Sequence, residues 1–534
     1  MSRFEIQLLV ATLVACLQGV CAVPLFGGTK SLSSKATSNG VELRPRYLEN
    51  IGETFPAMVD ALEVMQSQYW DAATSTWPTG IDWTSAVFST HISATLNEMA
   101  MYEEATYGSE IDTYFSQVVS FYSGENALSL RTQKYDDMQW VVIEWLEAIK
   151  FVNLYSTINS AFSGEQYIPE FAHRARIFWD LASQGYNTTL CGGGMLWTDQ
   201  LTPYKNAITN ELFVASSVAM YLYFPGDDNP EPYSVPGTPY NSSQALPPIP
   251  AHDVRYLNAA IEEYNWLTTS NMTNSQGLYV DGFHITGWTN SSDIGTGKCD
   301  ARDESVYTYN QGVLLSGLRG LWEATGDEKY LNDGYTLVQN VIAATGWISA
   351  TQQSSTWSGL GSDGILQDLC DVDGSCSQDA QNFKGIFFHH LTLFCQPLAV
   401  SEKETSIFNG SMAEAQAHQE QCDGYLQWIE HNAQAAYSTR NANGVYGGWW
   451  DPQPASELRI PMQPSGASDY RNKGIPQNSV WRFSSDLPVD EQGMSSESNT
   501  PSTDPNDRGR GRTVETQSGG LAVVRCLAQA EETS

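Results

Sequence analysis

Two adjacent carboxylates, Asp136 and Asp137, are the residues whose types and spacing are best suited to chemistry. Two carboxyl groups held close together suppress each other's ionisation, so one proton tends to be shared between them. Cleavage of a glycosidic bond needs this division, with a protonated acid for the departing oxygen and a carboxylate for the anomeric carbon. Consecutive helical residues diverge by about 100°, but at a helix N-terminus both side chains can reach one cleft.

The pair alone does not decide between chemistry and structure. Acidic residues are favoured in the first turn of a helix because they cap it and complement its dipole. Glu144 follows on nearly the same helical face and is either a supporting acid or a structural carboxylate. A magnesium-binding Asp-Asp-x-x-Asp motif is excluded because its fifth position is Trp140. No Cys/His spacing resembles a zinc site, so we expect neither a metal nor a cofactor.

The elements that position these residues are predicted to be helices. Apolar residues recur at helical spacing in roughly a dozen segments. They are residues 56–70, 83–102, 111–122, 135–154, 168–182, 207–223, 254–268, 311–324, 330–344, 385–397, 412–436 and 516–530. The helix that begins at Tyr135 has almost no polar face, which is typical of a helix buried on all sides. This pattern favours helical hairpins closed into a double-ring α-barrel.

Strand-like alternation is scarce, and Gly277–Val280 is one short stretch that shows it. Residues 225–250 are rich in Pro, Gly, Asn and Ser, and we expect a surface loop there. Residues 484–512 are poor in apolar side chains, which predicts a disordered insertion. The last predicted helix follows that insertion, so residues 23–534 are expected to form a single catalytic domain.

The first 22 residues have the pattern of a secretory signal. Arg3 precedes an apolar run from Ile6 to Val20, with small residues around an expected cleavage after Ala22. The run is too short for a membrane span, and the C-terminus shows no lipid-anchor signal. We therefore expect a secreted, extracellular or cell-wall protein without a membrane anchor. Asn-x-Ser/Thr sequons support a glycoprotein; they begin at Asn187, Asn241, Asn271, Asn290 and Asn409.

Seven cysteines remain after the signal, and an oxidising compartment favours pairing. Cys370 and Cys376 can close a small loop, while the odd count leaves one thiol free. The formal charge of −34 and the pI near 4.4 argue against nucleic acid as a partner. Nothing in the sequence calls for an oligomer, and we expect a monomer.

Six sequence blocks, in order along the chain, resemble glycoside hydrolase family 76, the endo-α-1,6-mannanases and their fungal cell-wall relatives. The blocks are Lys134–Asp137 with Trp140, Cys191–Trp197, Tyr204–Asn210, Tyr307–Gly312, Phe383–Phe387 and Thr516–Ser518. The resemblance implies an all-α fold, an (α/α) barrel of six helical hairpins. It also implies retaining hydrolysis of α-1,6-mannosidic bonds, with Asp136 as nucleophile and Asp137 as general acid/base.

The other blocks supply candidates for substrate binding. Gly192–Gly194 would let backbone approach a sugar closely, or would form only a flexible turn. The aromatic candidates for stacking on sugar rings, with core packing as the alternative, are Trp197, Tyr204 and Tyr309. The amide candidates, with helix capping as the alternative, are Asn206, Asn210, Asn310 and Gln311. Lys384 either contacts substrate or forms a structural ion pair.

Some features depart from the family pattern. Phe388-His389-His390 stands where a different aromatic or basic pattern is expected, and the insertion at 484–512 is longer than the family needs. The anchor signal of the wall-remodelling relatives is missing. Three functions therefore remain open: a mannan hydrolase, a transglycosidase that passes mannosyl glycans to wall polysaccharide, and a non-catalytic mannan-binding wall protein.

Overall fold

The computed structural model describes residues 51, 53–232, 245–373, 375–400, 410–451, 504–507 and 510–534. The expected signal at 1–22 and the sequons at Asn241 and Asn409 lie outside these residues. Most of the described chain is helical. The helices are α1 Thr54–Tyr69, α2 Asp82–Tyr102, α3 Glu104–Gly124, α4 Ala127–Leu130, α5 Tyr135–Ile158, α6 Ile168–Ala182, α7 Ala207–Tyr223, α8 Val254–Thr269, α9 Thr308–Thr325, α10 Lys329–Ala344, α11 Leu369–Asp373, α12 Phe383–Phe394, α13 Met412–Asp423, α14 Leu426–Tyr437 and α15 Val514–Thr533.

Six of these helices form a closed inner ring. Helices α2, α5, α7, α9, α12 and α15 pack against one another in that order, and α15 returns to contact α2. The outer helices cover them, with α3 on α2, α6 on α5, α8 on α7 and α10 on α9, while α14 and α1 both lie against α15. The N-terminal helix thus completes the hairpin of the C-terminal one. The predicted all-α (α/α) barrel is confirmed.

The inner helices are buried on almost every face, as their position requires. In α15 every residue from Val514 to Gln529 is buried, and α5 is buried almost throughout. Glycines allow close approach between neighbours. A Cβ on Gly385 of α12 would lie 2.6 Å from the Cα of Gly519 in α15, and one on Gly312 of α9 would lie 2.5 Å from the Cα of Phe387.

Two predicted helix ranges are wrong: one contains a break, and the other extends too far. The segment 412–436 is two helices, α13 and α14, that break at Gly424 and Tyr425. The helix predicted to reach Pro397 ends at Phe394, because proline cannot donate the next helical hydrogen bond and disfavours helical backbone in the residue before it. The ranges 168–182 and 207–223 agree with α6 and α7.

The strands are short and lie in the loops between helices. They are β1 Tyr204–Asn206, β2 Gly226–Asp227, β3 Ile249–Pro250, β4 Gly282–Ile285, β5 Cys299–Asp303, β6 Trp347–Ser349, β7 Gln352–Gln353, β8 Gly361–Ser362 and β9 Ile365–Leu366. Strands β1, β4 and β5 form an antiparallel sheet in that order. The strand-like stretch 277–280 precedes β4 and makes only an isolated bridge at Tyr279.

The two predicted loop regions are anchored at their ends. Within 225–250, β2 pairs with β3, and Arg176 donates a 2.9 Å hydrogen bond to buried Asp227; residues 233–244 are outside the described chain. Most of 484–512 is also outside it. The end of that range is ordered, however, because Arg512 donates to the carbonyl of Thr439 and Asn506 accepts from the Trp449 N–H.

Three disulfides join Cys191 to Cys299, Cys370 to Cys376 and Cys395 to Cys422, and Cys526 is a buried free thiol. The predicted small loop closed by Cys370 and Cys376 is confirmed. None of the helices in the described chain has the length and apolar character needed to cross a membrane.

Candidate functional site

Carboxyl groups gather where the inner helices begin. Asp82 opens α2, Asp136 and Asp137 open α5, Asp379 precedes α12, and Glu515 lies in the first turn of α15; all are buried. A helix N-terminus suits a carboxylate because its first N–H groups lack partners and its dipole end is positive. One mouth of the barrel is therefore acidic.

Asp136 and Asp137 are held by backbone donors in the first turn of α5. The Lys134 N–H donates to Oδ2 of Asp137 at 3.1 Å, and the Asp137 N–H donates to Oδ1 of Asp136 at 3.2 Å. The Trp197 side chain donates a further hydrogen bond to Asp136. Each aspartate is 9% exposed, so the pair is largely withdrawn from water.

The two aspartates differ in acidity. Burial raises the pKa of Asp136 to about 7, although backbone hydrogen bonds, Lys134 and Trp197 oppose that rise. Burial and then the charges of Asp136, Asp82 and Asp379 raise the pKa of Asp137 well above its ordinary value. Because the charge of Asp136 raises the pKa of Asp137, Asp136 ionises first, and above about pH 7 the arrangement favours an ionised Asp136 beside a protonated Asp137. Such a separation is what an acid and a nucleophile acting together require.

Aromatic rings surround the pair. Trp83 and Trp140 are stacked, with ring centroids 5.7 Å apart. Tyr309 is stacked on Phe383, with ring centroids 3.8 Å apart. Burial, and then the charges of Asp281 and Asp136, raise the pKa of the Tyr309 hydroxyl well above its ordinary value. Trp197 and Tyr309 are thus the predicted aromatic residues that the structure brings to Asp136.

Trp197 ends the Gly-rich block and is held in place by backbone hydrogen bonds. The Trp197 N–H donates to the Tyr204 carbonyl at 2.8 Å, and its carbonyl accepts from the Tyr135 N–H at 3.0 Å. Gly193 and Gly194 have φ of +153° and +84°. A Cβ on either would lie within 2.7 Å of the Trp266 ring. The backbone at these two glycines therefore lies close against the Trp266 ring.

Lys205 fixes the same block from inside. Its ammonium donates to the carbonyls of Asn187, Gly193 and Gly194, which uses all three of its protons. Burial lowers the pKa of Lys205 to about 7, and the charge of Glu263 opposes this. Lys205 is a structural clamp on the loop that carries Trp197.

Substituting Gly194 by alanine should lower the free energy of unfolding by about 2–4 kcal/mol, because the new Cβ combines left-handed backbone strain with a clash against Trp266. Gly192→Ala is the matched control: its φ is +72°, but its Cβ would meet nothing within 4 Å. That variant should lose only about 1 kcal/mol. Urea unfolding of both variants measures the difference, and equal losses would refute the packing role of Gly194.

Two of the predicted amide residues, Asn210 and Gln311, make hydrogen bonds to backbone groups. Asn210 accepts from the Met195 N–H at 2.7 Å and donates to the carbonyls of Met195 and Asn206. Gln311 accepts from the Tyr279 N–H and donates to the carbonyls of Tyr279 and Tyr307. These contacts position the loops before α7 and α9. In both residues the amide hydrogen bonds that the structure shows go to the backbone of these loops and are not helix caps, and the roles of Asn210 and Gln311 in substrate binding stay predictions.

A second polar group surrounds Asp281. Tyr204 donates its hydroxyl to Oδ2 of Asp281 at 2.5 Å, and burial raises the pKa of Asp281 to about 6, opposed by hydrogen bonds from Tyr204 and Asn310. Asn206 occupies the N-cap position of α7 and is buried, but its side chain makes no capping hydrogen bond. Tyr204 and Asn310 therefore belong to a buried network around Asp281.

Lys384 forms an ion pair with Asp371 at 2.6 Å and is buried, which agrees with the structural alternative stated for it. Glu144 is fully buried, and burial together with Glu125 raises its pKa well above the ordinary value. His389 and His390 also lie inside the inner ring. His389 accepts from Arg525 and His390 contacts Ser316, each at 2.8 Å.

The sequence did not single out Asp82 and Asp379. Asp379 accepts from the Trp83 indole N–H at 2.7 Å, and Asp82 accepts from the Gln133 amide at 2.7 Å. The one available signal was an aspartate followed by tryptophan at the start of a predicted helix. Within the described ranges, no group of three or more His, Cys, Asp or Glu side chains is arranged to hold a metal ion.

Comparison with known proteins shows where this architecture recurs. Residues 250–453 match the family model described as Glycosyl hydrolase family 76; the Asp136–Asp137 pair precedes that range. No curated protein sequence matches the chain. Among solved structures, the GH76A α-1,6-mannanase of Salegentibacter sp. HEL1_6 is similar at 15% identity and a TM-score of 0.52, over 89% of this chain and 99% of that one.

Two further structures show the same fold. The mannosidase Bt3792 of Bacteroides thetaiotaomicron VPI-5482 has 13% identity and a TM-score of 0.52, over 90% of this chain and 99% of that one. Dfg5 from Chaetomium thermophilum, in complex with glucosamine, has 13% identity and a TM-score of 0.52, over 92% of this chain and 93% of that one. An inactive variant of the Salegentibacter mannanase, with two consecutive aspartates replaced by alanine, was solved with α-1,6-mannotetrose.

Proposed function

We propose that this chain is a member of glycosyl hydrolase family 76, whose model matches residues 250–453, and that it hydrolyses α-1,6-mannosidic bonds in mannan with retention of anomeric configuration. The observation that carries the proposal is the buried Asp136–Asp137 pair, in which the two carboxyl groups have separated acidities. The similar Salegentibacter protein is an α-1,6-mannanase, and this supports the choice of linkage.

In the first step Asp136 attacks the anomeric carbon while Asp137 gives its proton to the departing glycosidic oxygen. The bond from carbon to that oxygen breaks, and a covalent glycosyl ester forms on Asp136. The Trp197 hydrogen bond and the N-terminus of α5 stabilise the Asp136 carboxylate. Both interactions favour the ionised form of Asp136 and so oppose the effect of burial, which favours the protonated form.

In the second step Asp137, now ionised, removes a proton from water. The water oxygen attacks the same carbon, the ester bond breaks, and Asp136 leaves as a carboxylate. Two displacements at one carbon restore the starting configuration. We assign Trp197, which donates to Asp136, and Tyr309, whose hydroxyl interacts with the Asp136 charge, to contacts with the apolar faces of mannose.

We further propose one catalytic domain over residues 23–534, secreted as a monomeric glycoprotein. Of the described sequons, Asn271 and Asn290 lie at exposed positions, where an attached glycan would meet no packed neighbour.

The proposal is tested with purified protein and linear α-1,6-mannan, with α-1,2- and β-1,4-linked mannans as controls. Short manno-oligosaccharides should form from the α-1,6 polymer and not from the controls. An added acceptor glycan separates hydrolysis from transfer, because a transglycosidase would extend the acceptor while releasing little free sugar. Cleavage of the controls alone would refute the assigned linkage, and no cleavage at all would refute the proposed hydrolysis.

A further inference from the structure

Two carboxyl groups outside the catalytic pair are tied to it by a short chain of contacts. Trp83 donates its indole N–H to Oδ1 of Asp379 at 2.7 Å. The Trp83 ring stacks on Trp140 at 5.7 Å, and Trp140 lies one helical turn after the catalytic pair on α5. Asp379 therefore has a fixed position relative to Asp137, although it is distant in sequence.

Asp82 is held by hydrogen bonds from side chains that precede α5 in the chain. The Gln133 amide donates to Oδ2 of Asp82 at 2.7 Å, and Ser129 lies 3.4 Å from the same oxygen. Gln133 immediately precedes Lys134, whose N–H donates to Asp137. The residue that donates to Asp82 is thus adjacent in sequence to the residue whose N–H donates to Asp137.

We infer that Asp379 and Asp82 are positioning residues whose negative charges keep the proton on Asp137 during the first step of the reaction. This inference rests on the proposed function, because it assigns the two residues a task only if Asp137 is the general acid. Neither residue needs to touch substrate for the task. Each acts through its charge, from a site that burial shields from water.

The electrostatics follow from the cluster. Two like charges near each other in a weakly polar site repel strongly, so an ionised neighbour makes loss of the Asp137 proton more costly. Asp82 and Asp379 both raise the pKa of Asp137, after burial and Asp136. Burial raises the pKa of Asp379 itself to about 7. Above that pH Asp379 is ionised, at the pH where Asp137 most needs help to retain its proton.

The pKa of Asp137 is shifted by burial, by the charges of Asp136, Asp82 and Asp379 and by the Lys134 N–H, while the neighbouring cations act on Asp136 and Asp379. Lys134 lowers the pKa of Asp136, Arg510 lowers that of Asp379, and Glu515 raises that of Asp379. Tyr309, on α9, keeps a neutral hydroxyl because its pKa lies well above the ordinary value. The groups that act on the cluster from α2, α5, α9, α12 and α15 and their loops are Asp82, Lys134, Asp136, Tyr309, Asp379, Arg510 and Glu515.

Asp379→Asn tests the inference, because the amide oxygen can still accept from Trp83 while the charge is removed. The pH profile of kcat/KM is measured on α-1,6-mannotetraose. We expect the basic limb to move to lower pH by about one unit, since Asp137 would lose its proton more easily. Asp82→Asn should move the limb in the same direction. A dinitrophenyl glycoside of α-1,6-mannobiose needs no acid for its leaving group, so its kcat/KM should be unchanged at neutral pH.

Glu98→Gln is the matched control, because Glu98 is also a buried carboxyl on α2 with a raised pKa of about 7. It lies ~24 Å along the helix from Asp82, and its profile should match that of the wild type. A basic limb that stays in place in Asp379→Asn overturns the inference and leaves the proposed function intact. Equal loss on both substrates also overturns it, because that would place Asp379 in contact with substrate. A wild type that cleaves neither substrate refutes the proposed function itself.

Discussion

Asp136→Asn should abolish turnover of α-1,6-mannan, with kcat reduced by roughly 10⁴-fold or more, while the protein stays folded. The amide can accept the same hydrogen bonds from the Asp137 N–H and Trp197 that the carboxylate accepts, but it cannot form the glycosyl ester. Steady-state product release measures the loss, and the melting temperature measures the fold. Substantial residual cleavage would remove Asp136 from the role of nucleophile.

Asp137→Asn should behave differently because only the acid/base group is lost. General acid–base groups contribute about 10²–10⁴-fold, so cleavage of mannan should fall within that range. A dinitrophenyl substrate should still form the glycosyl ester quickly, and the ester should then accumulate for want of a base. A rapid burst of dinitrophenol followed by slow turnover is the expected signature. A uniform loss without a burst would contradict the assignment.

Acidification from pH 7.5 to pH 5 should stabilise this protein, raising its melting temperature by roughly 5–10 °C. Its buried carboxyl groups bind protons more tightly in the folded chain than in the unfolded one. Those with raised pKa values of about 6 to 8 are Asp82, Glu98, Asp136, Glu263, Asp281, Asp368, Asp379 and Glu515.

The sign follows from proton binding. Between about pH 4, where these groups titrate in the unfolded chain, and about pH 7, the folded chain holds more protons. Their contribution is therefore complete below pH 4 and is lost as pH rises through the folded pKa values. Four histidines oppose this, because burial lowers their pKa values and their contribution is lost as pH falls below about 6.5: His91, His389, His390 and His418.

The carboxyl groups outnumber the histidines, so the net effect of acidification over this window is stabilising. Differential scanning calorimetry across pH 4.5–8 measures it. Glu98→Gln should flatten the curve, because it removes one group with a pKa raised to about 7. A melting temperature that falls steadily from pH 7.5 to pH 5 would show that the buried carboxyl groups do not hold their protons.

Much of the barrel could be predicted because apolar residues recur at helical spacing, and that property is local. The ranges of α6 and α7 and the burial of α5 are confirmed. The break at Gly424 could not be predicted, because a single glycine is tolerated within a helical pattern. Only the packing of α14 against α15 shows that the chain must turn there.

The site was less accessible to sequence reasoning. The Asp136–Asp137 pair could be singled out as a candidate because its members are adjacent, and Trp197 because its block follows a glycine run. Asp82 and Asp379 could not, since their association with Asp137 depends on the closure of the ring. Likewise, only the folded chain shows that Gly194 faces Trp266, because loop packing leaves no periodic pattern in a sequence.

The most direct test of the central claim follows hydrolysis of α-1,6-mannotetraose by proton NMR, with Asp136→Asn measured in parallel. The wild type should release the α-anomer of the new reducing end first, before mutarotation produces the β-anomer. Asp136→Asn should release neither anomer over the same period. A β-anomer formed first, or equal cleavage by the variant, would contradict a double displacement at Asp136.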